Sequence, residues 1–577
     1  MWKRIMKKIK ENIIYILIFL LFFIIYLIPI KENKPAEQVN YIRNPHFKAE
    51  KNKLRVAVEK TANPLNPFDD NSNNVSMLSK LINSSLISKD KNNNINLDIA
   101  KEYWYENEGK TIAVVLKNNL KFSSGETITT EHVKNTYKIL AHPNYNGIHK
   151  DYVENIQGFY RYKMGKDHDF TGIEVLGNYF IKFHFNKADF SNISFLTFPI
   201  MNITQDVLDK INSETLKNFN FTHGSGRFKV DNYNEEKISL SLRDDIDKEE
   251  LKNIKVKNID IYILDYNKAL NKYASGSLDI LYKYNKTQKL NELYTDRIKE
   301  YSYNIDNESN IYKYIGFNEK SKFFKNVLYR QALRDSINFE EIIKENYGNT
   351  IYSFINIPIY KNSWFNNEKI NINKRVNLTE ILQKNFEKKA NFFIDKDQEE
   401  LTIKMIAQDD NEFVNNISKG LIKKFQEKGI KLEIIKLKPL EMIEALKKGG
   451  DYDLYLSQRY MTELPRSLDE DLFKHKSRFT ITSEIDYSFS YLLDKIKENI
   501  NDEKIQYMTS EWKNMFVETV PYIVLAVENK ISIINNRIKG IYLNEFVGLD
   551  NINNLINIDF RDWNFCVIII KLVKIMI

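Results

Sequence analysis

The residue types that carry covalent or metal chemistry are present in this 577-residue chain, but they are not spaced to act together. Eight histidines (His46, His132, His142, His149, His168, His184, His223 and His475) are scattered along it. None falls in a His-Glu-x-x-His spacing, which sets two imidazoles on one helix face toward zinc. His142 and His149 could share a helix face, but Pro143 opposes a helix there. The single cysteine, Cys566, excludes an intrachain disulfide and any thiolate cluster for zinc or iron–sulfur. A nucleophile elbow, a Walker loop, an EF-hand loop and a dinucleotide glycine motif are all missing. His223-Gly224-Ser225-Gly226 lacks the Lys-Ser/Thr that completes a phosphate loop, so its glycines are expected to shape a tight turn ahead of Arg227. The expectation is a protein that performs no covalent chemistry and holds no catalytic residue, no metal and no cofactor.

What the sequence does specify is architecture. LTIKMIAQ at 401–408 reads as a strand, Val414, Ile417, Leu421 and Phe425 as the apolar face of a helix ending near Gly429, and Ile430, Leu432 and Ile434 as a second strand. Pro439 to Lys448 reads as another helix, closed by Gly449 and Gly450, before a third strand through Tyr452, Leu454 and Leu456. This βαβαβ pattern implies parallel strands whose carboxyl ends share one edge, where open α/β sheets bind ligands. Gln458 to Pro465 is expected to be a loop at that edge. In the first half, Leu54, Val56 and Val58 alternate as a strand, and 110–122 reads as a strand or hairpin arm. A helix is expected from Thr129 or Thr130, and further strands at 172–177, 179–185, 227–233, 237–243 and 259–264. The chain is therefore mixed α/β, of several interlocked lobes rather than beads on a linker.

Lys3, Arg4, Lys7, Lys8 and Lys10 precede an uncharged run, Ile13–Ile30, of 18 residues. As a helix it would span about 27 Å, enough to cross a bilayer. The positive flank places Met1 in the cytoplasm and the remainder outside. An uncleaved N-terminal transmembrane anchor is the expectation, with a cleaved signal as the alternative. The segment 31–52 reads as a tether, and 564–577 as an apolar extension too interrupted by lysine to span. Elsewhere lysine alternates with Asp, Glu and Asn. The net charge of +8 thus forms no basic stripe, and nucleic acid is excluded as a partner.

Six segments, in order, resemble the family 5 extracellular solute-binding proteins, the oligopeptide- and dipeptide-binding components of ABC importers. They are LKFSSGETITTEHVKNTYKIL (120–140), GSGRFKVDNY (224–233), YIGFNEKSKFFKNVLYRQALRDSINFEEII (314–343), PIYKNSW (358–364), KGIKLEI (428–434) and KKGGDYDL (447–454). Ser124, His132 and Arg227 depart from the usual Asp, Asp and Pro. The resemblance implies an α/β, two-lobe periplasmic-binding-protein-like fold of type II with an additional inserted domain. It assigns 53–75, 170–264 and 521–563 to lobe I, 76–169 to the insertion and 265–519 to lobe II.

The resemblance also implies a monomeric receptor, anchored in the cell membrane and facing outward, that passes peptides to a permease and its ATPase subunits. A nickel chelate, a single signalling peptide or a sensor role without transport are the alternatives. In peptide-binding relatives an aspartate after the last strand of the βαβαβ segment pairs with the ligand's α-ammonium. Here Ser457 to Pro465 corresponds, with Arg459 in the loop, Tyr460 as the aromatic, and Glu463 or Thr462 at the acid's position. A buried ammonium needs such a carboxylate; the alternative is that Glu463 is a solvated loop acid. Glu59 and Asn63, in the EKTANPLNP exit from the first strand, either line the cleft or form a structural turn. Trp364 either stacks on the ligand or seals the lobe. Arg330 is expected to be structural.

Overall fold

The computed structural model describes residues 50–560 apart from several segments, the longest being 287–297, 367–374 and 462–482. The expected anchor 13–30 and the extension 564–577 lie outside the described residues. Among the described residues no helix is long and apolar enough to cross a membrane.

Strands form where apolar residues alternate or run together, and helices where they recur at three and four. β1 (Lys53–Glu59) is followed by β2 (Ala100–Glu106), β3 (Thr111–Leu116), α1 (Thr130–Leu140), β4 (Ile173–Val175) and β5 (Phe180–His184). The hairpin β6 (Phe228–Asn234) and β7 (Lys237–Leu242) leads to β8 (Asn258–Leu264), α2 (Tyr266–Ala274), β9 (Ile280–Asn285) and the 16-residue β10 (Ser302–Phe317). After α3 (Val327–Ser336) and β11 (Tyr352–Phe354) come β12 (Thr402–Gln408), α4 (Glu412–Glu427), β13 (Lys431–Leu437), α5 (Pro439–Lys448) and β14 (Leu454–Tyr460). Last are α6 (Asp502–Thr519) and the 14-residue β15 (Tyr522–Asn535).

Eleven of these strands share one sheet, in the order β13-β12-β14-β10-β15-β9-β1-β8-β7-β6, with β11 also on β15. The β12-α4-β13 crossover is parallel, as is the pairing of β12 with β14. Asn411 caps α4 by accepting from the Val414 amide, and Phe413, Val414, Ile417, Leu421 and Phe425 bury its inner face against β12. Pro439 occupies the first turn of α5, and Gly449, at φ +65°, ends it in the left-handed conformation that glycine adopts without strain. At the other side of the sheet, buried Asp279 accepts from the guanidinium groups of Arg55 and Arg537, tying β1 to the end of β15. A separate four-stranded sheet, β2-β3-β5-β4, packs against α1 through Tyr137, Phe183 and Phe195.

Two expectations need correction. Gln458, Arg459 and Tyr460 are not loop residues: they pair with β10 as the last rungs of β14. β5 pairs with β3, and β4 with β5. β9 pairs in parallel with β1. The glycines of His223-Gly224-Ser225-Gly226 make no left-handed turn. A Cβ would lie 2.1 Å from the Ile82 carbonyl oxygen at Gly224 and 2.6 Å from the Ile82 carbonyl carbon at Gly226, so both positions serve close backbone approach.

Candidate functional site

The register of the two long strands decides where a ligand edge can be. β10 and β15 are antiparallel, with Ser302 opposite Asn535, Glu308 opposite Asn529, and Gly316 opposite Tyr522. β9 runs toward their middle from one side, ending at Asn285 opposite Lys530, and β1 runs parallel to it, ending at Glu59. β14 arrives from the other side, ending at Tyr460 opposite Ile311. The carboxyl ends of the parallel strands in both halves of the sheet thus converge on residues 307–311 and 527–530, where the β10–β15 ladder slips register between Glu308 and Tyr312. Carboxyl ends of parallel strands are where open α/β sheets bind ligands, and a bulge there re-aims side chains.

Charged side chains gather at this crossing although the flanking strand residues are apolar. Lys313, 5% exposed, lies 2.9 Å from Glu528 Oε1, donates to Gln458 Oε1 at 2.6 Å and sits 5.6 Å from the Phe413 ring centre. The Tyr352 hydroxyl also donates to Glu528 Oε1, at 3.5 Å. Ser353 Oγ donates to Asn529 Oδ1 at 2.9 Å, and Lys286 Nζ pairs with Asp306 at 2.7 Å. These contacts link β9, β10, β11, β14 and β15.

Glu59, half-buried at the end of β1, receives Asn285 Nδ2 at 3.3 and 3.1 Å on its two oxygens. Burial pushes its carboxyl above the usual range, with Lys530 and the Asn285 hydrogen bond opposing that shift. Asn285 reaches Glu59 because β9 bulges: Lys283 takes φ +48°, and the ladder to β15 shifts between Leu281 and Tyr284. Lys530 is half-buried, and burial lowers its ammonium below the usual lysine value, opposed by Glu59 and Glu528. Among the described residues no hydrogen bond and no carboxylate within 4.0 Å engages it. Asn307, directly opposite Lys530 in β10, keeps a buried Oδ1 without a hydrogen-bond partner among the described residues.

Among the residues expected from the sequence, Tyr460 is 60% exposed and Arg459 half-buried at the end of β14, both on the converging edge. Glu59 is there too. Asn63 lies in the following turn, its carbonyl accepting from the Asn66 amide at 3.1 Å. Asn66 is fully buried, donates to the Leu216 carbonyl and accepts from the Phe68 amide, which pins this turn to the body. Glu463, Thr462 and Trp364 lie outside the described residues. Sequence reasoning missed Asn285, Lys313, Glu528 and Lys530. The available signal was Glu528-Asn529-Lys530 interrupting the apolar run YIVLAV…ISIIN, a polar break in a central strand.

Arg330 is structural, as expected. Its guanidinium, 2% exposed, donates to the carbonyls of Phe324, Lys325, Thr519 and Val520. Burial lowers its pKa to about 10. Among the described residues no cluster of His, Cys, Asp and Glu could hold a metal ion.

A family model described as bacterial extracellular solute-binding proteins, family 5, middle region, matches residues 94–469. No curated protein matches the sequence. Solved structures are similar in fold. The oligopeptide-binding protein AppA from Bacillus subtilis, in complex with a nonapeptide, is 18% identical, with 88% of this chain and 99% of that one covered at a TM-score of 0.61. Lactococcal OppA, with an endogenous peptide in the closed conformation, is 16% identical with the same coverage, at 0.65. NikZ from Campylobacter jejuni, in complex with Ni(L-His), is 19% identical, covering 89% and 100%, at 0.63.

Proposed function

The chain belongs to the family 5 bacterial extracellular solute-binding proteins, and from that premise we propose that it is an extracytoplasmic receptor that captures peptides at the strand crossing and delivers them to an ABC-type permease. Members of the family are binding receptors rather than enzymes. The observation that carries the reading is the convergence of Glu59, Asn285, Arg459 and Tyr460 on the polar break of β10 and β15. Such an edge offers exposed strand ends for hydrogen bonds to a peptide main chain, and acids and cations for its charged groups. The nonapeptide bound to AppA and the endogenous peptide bound to OppA support this solute class.

In this reading the two halves of the large sheet are the two lobes, β10 and β15 join them, and the four-stranded sheet belongs to the inserted domain. Glu463 or Thr462 and Trp364 are read as further contacts to the ligand. The receptor acts as a monomer, held to the membrane by residues 13–30, and needs no cofactor.

Thermal-shift titration of the purified chain with mixed short peptides and, separately, with nickel–histidine chelates tests the solute class. Peptides are expected to raise the midpoint by several degrees through preferential binding to the folded state. Stabilisation by the chelate alone would favour the second reading, to which the Ni(L-His) complex of NikZ lends support. A mass spectrum of material released from the denatured protein identifies what it carried.

A further inference from the structure

We propose that Lys530 takes a carboxylate of the bound solute, so that the strand crossing selects ligands bearing one; this rests on the peptide-receptor reading above. Lys530 stands on β15 at the rung where β9 ends at Asn285, with Asn307 facing it from β10. Two acids flank it, and both are already engaged by other donors. Glu59 receives Asn285 Nδ2 on both oxygens, and Glu528 receives Lys313 at 2.9 Å and the Tyr352 hydroxyl at 3.5 Å. Neither approaches Lys530 within 4.0 Å.

By contrast, the neighbouring lysines of the crossing each have a direct partner: Lys313 on Glu528 and Lys286 on Asp306. A half-buried ammonium left without one is unfavourable, and the lowered pKa of Lys530 is consistent with that cost. An incoming carboxylate supplies the missing acceptor, as a charge-assisted hydrogen bond of the stronger kind. Asn307 Oδ1, a buried acceptor on the opposite rung with no donor among the described residues, marks the place as polar; it suits an N–H of the ligand rather than its carboxylate.

The carboxylate could be the peptide's own terminus or an acidic side chain, and three peptide libraries separate the two. All are built from non-acidic residues, one with free termini, one with C-terminal carboxamides, and one with carboxamides plus a single glutamate. Affinities are measured for the full chain and for Lys530→Met and Lys530→Arg. The unaltered protein is expected to bind one carboxylate-bearing library about tenfold or more tightly than the plain carboxamide library. Lys530→Met brings the ratio of carboxylate-library to carboxamide-library affinity to about one, whatever its effect on overall binding, and Lys530→Arg keeps the preference. An equal affinity for all three libraries in the unaltered protein, or a preference that survives in Lys530→Met, overturns the assignment. If Lys530→Met does not fold, the library comparison in the unaltered protein and in Lys530→Arg still decides. Absence of binding to any library overturns the peptide reading itself, a result distinct from equal binding.

Discussion

Glu59 is the acid whose environment makes the clearest statement about pH. It faces Asn285 from β9 and Lys530 and Glu528 from β15, and burial outweighs the favourable partners, so its carboxyl titrates above the usual range. A raised value means that the folded chain holds a proton the unfolded chain has released. The resulting stability is fully present below the usual carboxylate range and is lost as pH rises through the raised value. The melting temperature of ligand-free protein is therefore expected to carry a downward component across that window, and Glu59→Gln to remove it. An unchanged slope in Glu59→Gln would show that the carboxylate is better solvated than its position implies. In the proposed reading, the same burial would strengthen a contact between ionised Glu59 and a ligand ammonium, because a charge with little water around it gains more from a partner.

At the scale of elements, α3 acts as a clamp on the end of α6. Besides the Arg330 contacts, Gln331 Nε2 donates to the Glu518 carbonyl at 2.6 Å and Arg334 donates to the Val517 carbonyl. The last carbonyls of a helix have no intrahelical partner, and cationic donors suit them. The clamp also holds Val520 at φ +45°, a left-handed conformation that is strained for a β-branched residue, just before β15 begins. Arg330→Lys keeps the charge but loses the fork that reaches four carbonyls, and is expected to cost about 2–4 kcal/mol in urea unfolding. A loss below about 0.5 kcal/mol would mean that the carbonyls find other donors.

Elements built from near neighbours were legible in the sequence. The face of α4, Pro439 and Gly449 around α5, and the alternation in β1 each follow from a local period or cap. The crossing was not legible, because the rung joining Asn307 to Lys530 and the hydrogen bond from Asn285 to Glu59 connect residues more than two hundred apart. No period records such a pairing. Strand ends misled for a related reason: Gln458 and Arg459 look like loop residues, yet β10 supplies backbone partners that extend β14 through Tyr460.

For the whole molecule, each half of the large sheet holds a parallel set, β12, β13 and β14 in one and β1, β8 and β9 in the other, and the two sets point toward each other across β10 and β15, whose ladder slips between them. In the proposed reading a guest bound there touches both halves and favours whichever arrangement lets it do so. The slip between Glu308 and Tyr312 is the place where the two strands can bend, because hydrogen-bond pairing is interrupted there. Hydrogen–deuterium exchange with and without a saturating mixture of short peptides examines that claim most directly. Slowed exchange is expected at 304–313, 458–461 and 526–531, with β2 to β5 unaffected. Peptide binding that leaves those three segments unchanged, or that protects only the four-stranded sheet, would contradict it.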